Sequence, residues 1–208
     1  MKQWGFFAMV GRMKHITRWG LMRNTMRESL AEHSFDTAVI AHALAAIGRD
    51  MFGSEVEPGE IAAAALFHDS SEILTGDLPT PVKYHNPEIR DAFHSLESAA
   101  RERLVGMLPD ELRPRYRALF SYDVERPEFY RYIRAADKIS AYVKCLEEQK
   151  SGNTEFDMAA RQLRDAVAAL HMPEADYYMQ HCVPASGLTL DELQNNAQAA
   201  EGEVEESL

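Results

Sequence analysis

Cysteine is scarce. Only Cys145 and Cys182 occur, far apart in the sequence, which excludes a disulfide framework and a cysteine-based zinc site. Alternating runs of β-branched residues are missing, and so are Asn-Gly and Asp-Gly turns, so nothing asks for a β-sheet. No stretch approaches the roughly 18 apolar residues that a membrane span needs. The apolar run from Trp4 to Val10 is short and Arg12 and Lys14 follow at once, unlike a secretory leader. The expectation is a soluble, cytoplasmic protein with no membrane partner.

Positive charge is the other shortage. Against 33 acidic residues stand 22 basic ones, a formal net charge of -11. Tracking a nucleic-acid backbone takes basic surface that can release counterions, so polymeric nucleic acid is not the expected partner. A small anionic substrate is compatible with this balance, provided a local positive cluster or a metal ion meets it.

What is present suits one domain: 208 residues, 46% of them hydrophobic. The pattern is helical nearly throughout, so the expected fold is all-α, a single-domain helical bundle over residues 1–190. A first helix is expected from Phe6 to about Ile16, then a loop holding Arg18 and Trp19. The next helix runs from Ser29–Glu32 to about Ile47 and ends before Gly48, with Phe35, Val39, Ala43 and Ile47 as its apolar stripe. Glu57-Pro58 opens a third helix, which runs from Ile61 to Leu74 and stops at Gly76. Asp77-Leu78-Pro79-Thr80-Pro81 reads as a stiffened loop. Further helices are expected over Asn86–Met107, Pro109–Phe120, Pro127–Lys150, Asn153–Leu170 and Pro173–Val183, with a capping-box match at Thr189–Glu192. Residues 194–208 are acidic and aperiodic and read as a disordered tail.

The chemistry concentrates in Leu66-Phe67-His68-Asp69-Ser70-Ser71-Glu72. On a continuous helix His68 and Glu72 share a face, and Asp69 lies about 100° round from His68. Upstream, Glu32-His33 falls in the first turn of a helix. Downstream, Asp137 sits among Ile133, Ala136, Ser140 and Ala141, where a carboxylate is costly unless paired or metal-bound. Imidazole and carboxylate together suit a divalent transition ion with positions left open for water and substrate. Such an ion acidifies water and stabilises charge on phosphoryl oxygens, and a nearby carboxylate can relay the proton.

The order His33, His68-Asp69, Asp137 resembles the HD-domain superfamily of metal-dependent phosphohydrolases. The segment Leu74–Lys83, the pair Arg18-Trp19 and the run Leu146-Glu147-Glu148 are similar to the bacterial 5'-deoxynucleotidases, over roughly residues 1 to 190. That resemblance implies hydrolysis of 2'-deoxyribonucleoside 5'-monophosphates by a homodimer. It implies metal ligation by His33, His68, Asp69 and Asp137. Glu72 would be the acid/base residue, with Asp77 assisting. Arg18 would orient the phosphate, Trp19 would meet the sugar, and Asp77, Leu78, Pro79 and Thr80 would line the nucleoside pocket. One divalent transition ion is expected, Mn, Co or similar, because His42 is nine residues from His33 and cannot readily join it on one ion.

Plainer roles exist for each residue. His33 could bond a backbone group, and His68 could be a satisfied core histidine. Asp69 could be a solvated carboxylate. Asp137 could pair with Arg134 or Lys138, and Glu72 with a base on another helix. Arg18 and Trp19 could form a cation–π clamp. Asp77 could brace its own loop, and Lys83 could neighbour the phosphate but reads better as a solvated lysine. A nucleotide phosphodiesterase or triphosphohydrolase is the competing enzyme, and a nucleotide- or metal-binding module without turnover the competing class.

Overall fold

The computed structural model describes residues 3–83 and 85–195. Among these residues every regular element is helical, and the one β-pairing is an isolated bridge between Thr17 and Ser29. No helix among them is long and apolar enough to cross a membrane.

Helix α1 (Phe6–Val10) continues into a tighter 3-10 turn, Gly11–His15. The loop 17–29 follows, closed at its base by the Thr17–Ser29 bridge. Ser29 then starts α2 (Leu30–Phe52) with a capping box: its hydroxyl accepts from the Glu32 amide at 3.3 Å, and Glu32 accepts from the Ser29 amide at 2.7 Å. Helix α2 packs against α3 (Pro58–Ala65). Two short helices follow, α4 (Glu72–Thr75) and α5 (Thr80–Lys83), then the long α6 (Pro87–Gly106). Asn86 caps α6 by accepting from the Ile89 amide at 2.8 Å. Helices α7 (Arg113–Phe120) and α8 (Tyr122–Glu125) lead into α9 (Pro127–Lys150), which has the bounds the sequence predicts. Helices α10 (Asp157–Ala168) and α11 (Pro173–His181) complete the bundle.

The main core lies where α2, α3 and α9 meet. Leu44, Ile61, Ile133 and Ile139 are buried there among Ala41, Ala45, Ala64, Ala65, Ala135 and Ala136. Alanine at so many facing positions lets the helix backbones approach closely. A second cluster joins Phe6, Leu104, Leu108 and Phe120, with Phe67 packed on it. Trp19 packs on a third, around Cys145 and Phe156.

Four readings change. Phe35 and Val39 are 62% and 51% exposed. The buried face of α2 is Leu30, Ala38, Ala41, Leu44 and Ala45, and its alanines drew less notice than the large apolar residues opposite. Helix α2 also does not end before Gly48. That glycine is buried inside it, and a Cβ there would meet Tyr132 Oη at 2.5 Å, so it admits α9. The stop is Gly53, in the left-handed region at φ 72°. The predicted third helix is broken: α3 ends at Ala65, and hydrogen-bonded turns carry the chain from Leu66 to Ser71 before α4. His68 and Asp69 therefore sit on a tight turn and not on a continuous helix face. Finally, residues 190–195 are helical after the reciprocal Thr189–Glu192 bonds, so the tail does not begin at Gln194. Its remainder, 196–208, lies outside the described residues.

Candidate active site

Helix α2 presents His33 one turn inside its capped start, and His33 is fully buried. Its Nδ1 lies 3.1 Å from Ser140 Oγ on α9. Assigning the Nδ1 proton to that bond turns the Nε2 lone pair towards Asp137 Oδ1 at 3.1 Å and Asp69 Oδ2 at 3.6 Å. The turn after α3 brings His68 to the same place. Its Nδ1 lies 2.8 Å from the Ala65 carbonyl, which can only accept, so that nitrogen is the donor. Nε2 is then an unprotonated nitrogen in neutral His68. It is buried and has no hydrogen-bond partner, yet it stands 3.1 Å from Asp69 Oδ2.

A lone pair and a carboxylate held this close repel unless a positive charge lies between them. Burial opposes a charged His68, but Asp69 and Asp137 outweigh it and raise its pKa to about 9. A proton is one way to supply the charge, and a metal ion is another. Ligand atoms of His33, His68 and Asp69 all lie within 4.8 Å of one another, so these three could hold a metal ion. Asp137 joins them through its contact with His33. Its side chain keeps 39% of its surface, so it is less enclosed than its apolar neighbours imply, and it pairs with His33 and not with Arg134 or Lys138.

Glu72 opens α4 and is buried. Its Oε1 accepts from Lys83 Nζ at 2.6 Å, while Oε2 is buried without a partner. Burial first, then the charge of Asp69, push its carboxyl up to about 8, against the pull of Lys83. Lys83 is thus not the solvated lysine the sequence implied: its side chain is 19% exposed and its ammonium lies 4.9 Å from the Phe93 ring centre. Asp77 follows Gly76, which turns the chain at φ 77°, and its charge is felt at both Glu72 and Arg18. Leu78 and Pro79 are half-buried beside it, and Thr80 begins α5.

Loop 17–29 supplies Arg18 and Trp19. The Arg18 side chain is 14% exposed. Burial opposes its cation, but Glu28, Asp137, Asp69 and Asp77 outweigh it and raise its pKa further. Arg18 therefore brings a fixed positive charge near the two candidate ligand carboxylates. The cation–π contact between Arg18 and Trp19 exists at 5.9 Å, near the outer limit for such pairs.

The comparisons with known proteins agree with this arrangement. A model of the YfbR-like 5'-deoxynucleotidases matches residues 5–186. The chain belongs to that family. A 5'-deoxynucleotidase of Citrobacter koseri is 45% identical over 197 residues, 95% of this chain and 99% of its own. One of Vibrio cholerae is 45% identical over 193 residues, 93% of this chain and 100% of its own. Among solved structures, an HD-domain phosphohydrolase from Listeria innocua superposes with a TM-score of 0.76 at 22% identity, covering 98% of each chain. The cyanophage S-2L HD phosphohydrolase DatZ, solved with dA and one catalytic Zn²⁺, superposes at 0.62 with 19% identity, covering 88% of this chain and 98% of its own. These likenesses identify the bundle as the HD fold.

Several residues support the family's motifs through contacts that the sequence does not show. Ser140 and Thr37 flank His33, at 3.1 and 3.4 Å. Glu28 holds Arg18 and Trp19. Lys144 and Glu148 hold the far side of the loop. A polar residue at helical spacing inside an apolar stripe was the available clue: Asp137, Ser140, Lys144 and Glu148 are spaced three, four and four apart along α9.

Proposed function

We propose that this chain hydrolyses 2'-deoxyribonucleoside 5'-monophosphates to the deoxynucleoside and phosphate, with His33, His68, Asp69 and Asp137 holding one divalent transition ion. The observation that carries the reading is the buried, unpartnered His68 Nε2 facing Asp69 in a chain of this family. Such an ion supplies Lewis acidity, polarising the phosphate and acidifying water. The donor set of imidazoles and carboxylates fits Mn²⁺, Co²⁺ or Zn²⁺.

The chain's own residues do the rest. Arg18 binds and orients the 5'-phosphate as a charge-assisted donor. Trp19 stands against the sugar and favours a 2'-deoxyribose, while Asp77, Leu78, Pro79 and Thr80 line the nucleoside. Glu72 takes the proton of the attacking water, and its raised pKa suits that exchange near neutrality. Water attacks phosphorus in line, the bond from phosphorus to O5' breaks, and O5' leaves with a proton that Glu72 or Asp77 returns. A cytoplasmic homodimer belongs to the same reading, and the exposed Phe35 and Val39 on α2 favour burial against a second copy.

The test is phosphate release by chelator-treated protein resupplied with Mn²⁺, Co²⁺ or Zn²⁺. Substrates are paired 2'-deoxy- and ribonucleoside 5'-monophosphates, nucleoside triphosphates and cyclic dinucleotides. Release from the deoxy monophosphates above all others is expected. No phosphate from any monophosphate would end this reading.

A further inference from the structure

Trp19 has a backbone conformation that tryptophan rarely adopts, φ 59° in the left-handed region. Such a conformation persists where its surroundings over-determine it. Four contacts do so here. The Trp19 carbonyl accepts from the Met22 amide at 2.9 Å and from Asn24 Nδ2 at 3.3 Å. The ring meets Phe156 edge-on, with centroids 5.3 Å apart. The indole Nε1–H donates to Glu28 Oε2 at 2.9 Å.

The same Glu28 oxygen also accepts from Arg18 Nη1 at 2.8 Å, and the Glu28 carbonyl accepts from the Arg18 amide at 3.0 Å. Glu28 is 8% exposed. One buried carboxylate oxygen therefore links the guanidinium to the indole, through bonds strengthened by charge. Neither side chain can shift without moving the other.

We propose that Glu28 is a positioning residue that couples phosphate recognition by Arg18 to sugar recognition by Trp19, so that selectivity for 2'-deoxyribose depends on a residue that touches no substrate. This rests on the roles given above to Arg18 and Trp19. A phosphate drawn onto Arg18 sets the Glu28 oxygen, and the oxygen sets the height of the indole over the sugar. A 2'-hydroxyl that displaces the indole is reported back to Arg18.

Glu28→Gln tests the link. The carboxamide keeps the shape, but a neutral oxygen replaces the charged one that both groups share, so both bonds lose their charge assistance and the link slackens. The metal-loaded protein is assayed with a deoxyribonucleoside 5'-monophosphate and its ribose counterpart. The ratio of their kcat/KM values is expected to fall about tenfold, chiefly through a higher KM for the deoxy substrate, with metal content at the parent level. Trp19→Phe provides a second route, because it removes the indole donor, with part of the ring, and leaves the Arg18–Glu28 bond. Its ratio should fall similarly, and adding Glu28→Gln to it should cost little more. A parental ratio in folded, metal-loaded Glu28→Gln, or in Trp19→Phe if the first variant does not fold, overturns the proposal. Arg18→Ala and Trp19→Ala separate the two levels. If both lower kcat/KM while Glu28→Gln keeps the parental ratio, only the coupling is wrong. If neither has an effect, the roles given to the loop fall and the coupling falls with them.

Discussion

The two ends of the candidate site are built on opposite principles. At the proposed metal end, ring nitrogens and carboxylate oxygens of His33, His68, Asp69 and Asp137 stand 3.1 to 3.6 Å apart, an arrangement that depends on a positive charge, either a proton or an ion. At the loop end the charged pair that anchors the loop, Lys144 and Glu148, is fully partnered. Glu148 Oε2 accepts from the Thr25 amide at 2.8 Å, Thr25 Oγ1 at 2.6 Å and Asn153 Nδ2 at 2.8 Å. Its Oε1 accepts from Lys144 Nζ at 2.6 Å and the Met26 amide at 3.1 Å, and Lys144 donates again to the Met26 carbonyl at 2.6 Å. The first end depends on positive charge, and the second holds the chain. Removing a residue from the metal end should therefore cost chiefly activity, and removing one from the anchor chiefly stability.

The largest effect is expected from His68→Ala. Phosphate release should fall on the order of a thousandfold, with loss of bound metal by elemental analysis. The metal-free variant loses the charge that Asp69 faces and should melt somewhat lower than the metal-free parent, but the gap should widen when metal is added, because only the parent gains from binding it. A gap that metal does not widen would break the comparison.

Glu148→Gln comes next. It leaves Lys144, 4% exposed, without its counter-ion, a loss of about 3 kcal/mol or more in thermal or denaturant unfolding. Burial opposes ionisation of Glu148, but bonds from Lys144, Thr25 and Asn153 outweigh it and hold its carboxyl well below the usual range. A depressed carboxyl contributes stability that is present above its unfolded pKa and lost as pH falls through its folded one. The melting temperatures of parent and variant should therefore begin to converge as pH drops below about 4. A gap that stays constant on acidification would mean that the pair does not stabilise the fold electrostatically.

Ser140→Ala should act more gently, on the metal end alone. It leaves His33 Nδ1 without a partner and frees the ring and its tautomer. Metal affinity should fall about 10- to 100-fold by competition with a chelator, while activity at saturating metal stays close to the parent.

The contrast also explains what the sequence could be made to tell. The order of His33, His68, Asp69 and Asp137 pointed to the family to which the chain belongs. Long capped helices such as α9 were legible because proline, periodicity and glycine agreed. The break after Ala65 was not, because Leu66 to Leu74 keeps a helical composition while the chain turns to bring His68 to His33. Lys144 and Glu148 were silent as supports because their partners in the loop lie far off: 118 residues separate Lys144 from Met26, and 123 separate Glu148 from Thr25. An acid in an acidic chain gives no sign of which distant amide it will meet.

Lys83 belongs to neither end, and its replacement should give the smallest effect and the sharpest one. Lys83 sits at the end of α5, after the segment proposed to line the nucleoside, and its ammonium meets Glu72 at 2.6 Å and Glu97 at 3.8 Å. Its charge lowers a Glu72 pKa that burial and Asp69 push up to about 8. Glu72 must be ionised to accept a proton, so activity falls as pH drops below its pKa. Lys83→Met removes the opposing charge and should move the acidic limb of the kcat/KM profile to higher pH, by up to about one unit. At alkaline pH the variant should recover most of the parental rate, and its metal content should not change. A limb that moves to lower pH would mean that Glu72 is not the group whose ionisation the profile reports. A rate low at every pH would assign Lys83 to the substrate itself, placing it with Arg18 and not with the acid it neutralises.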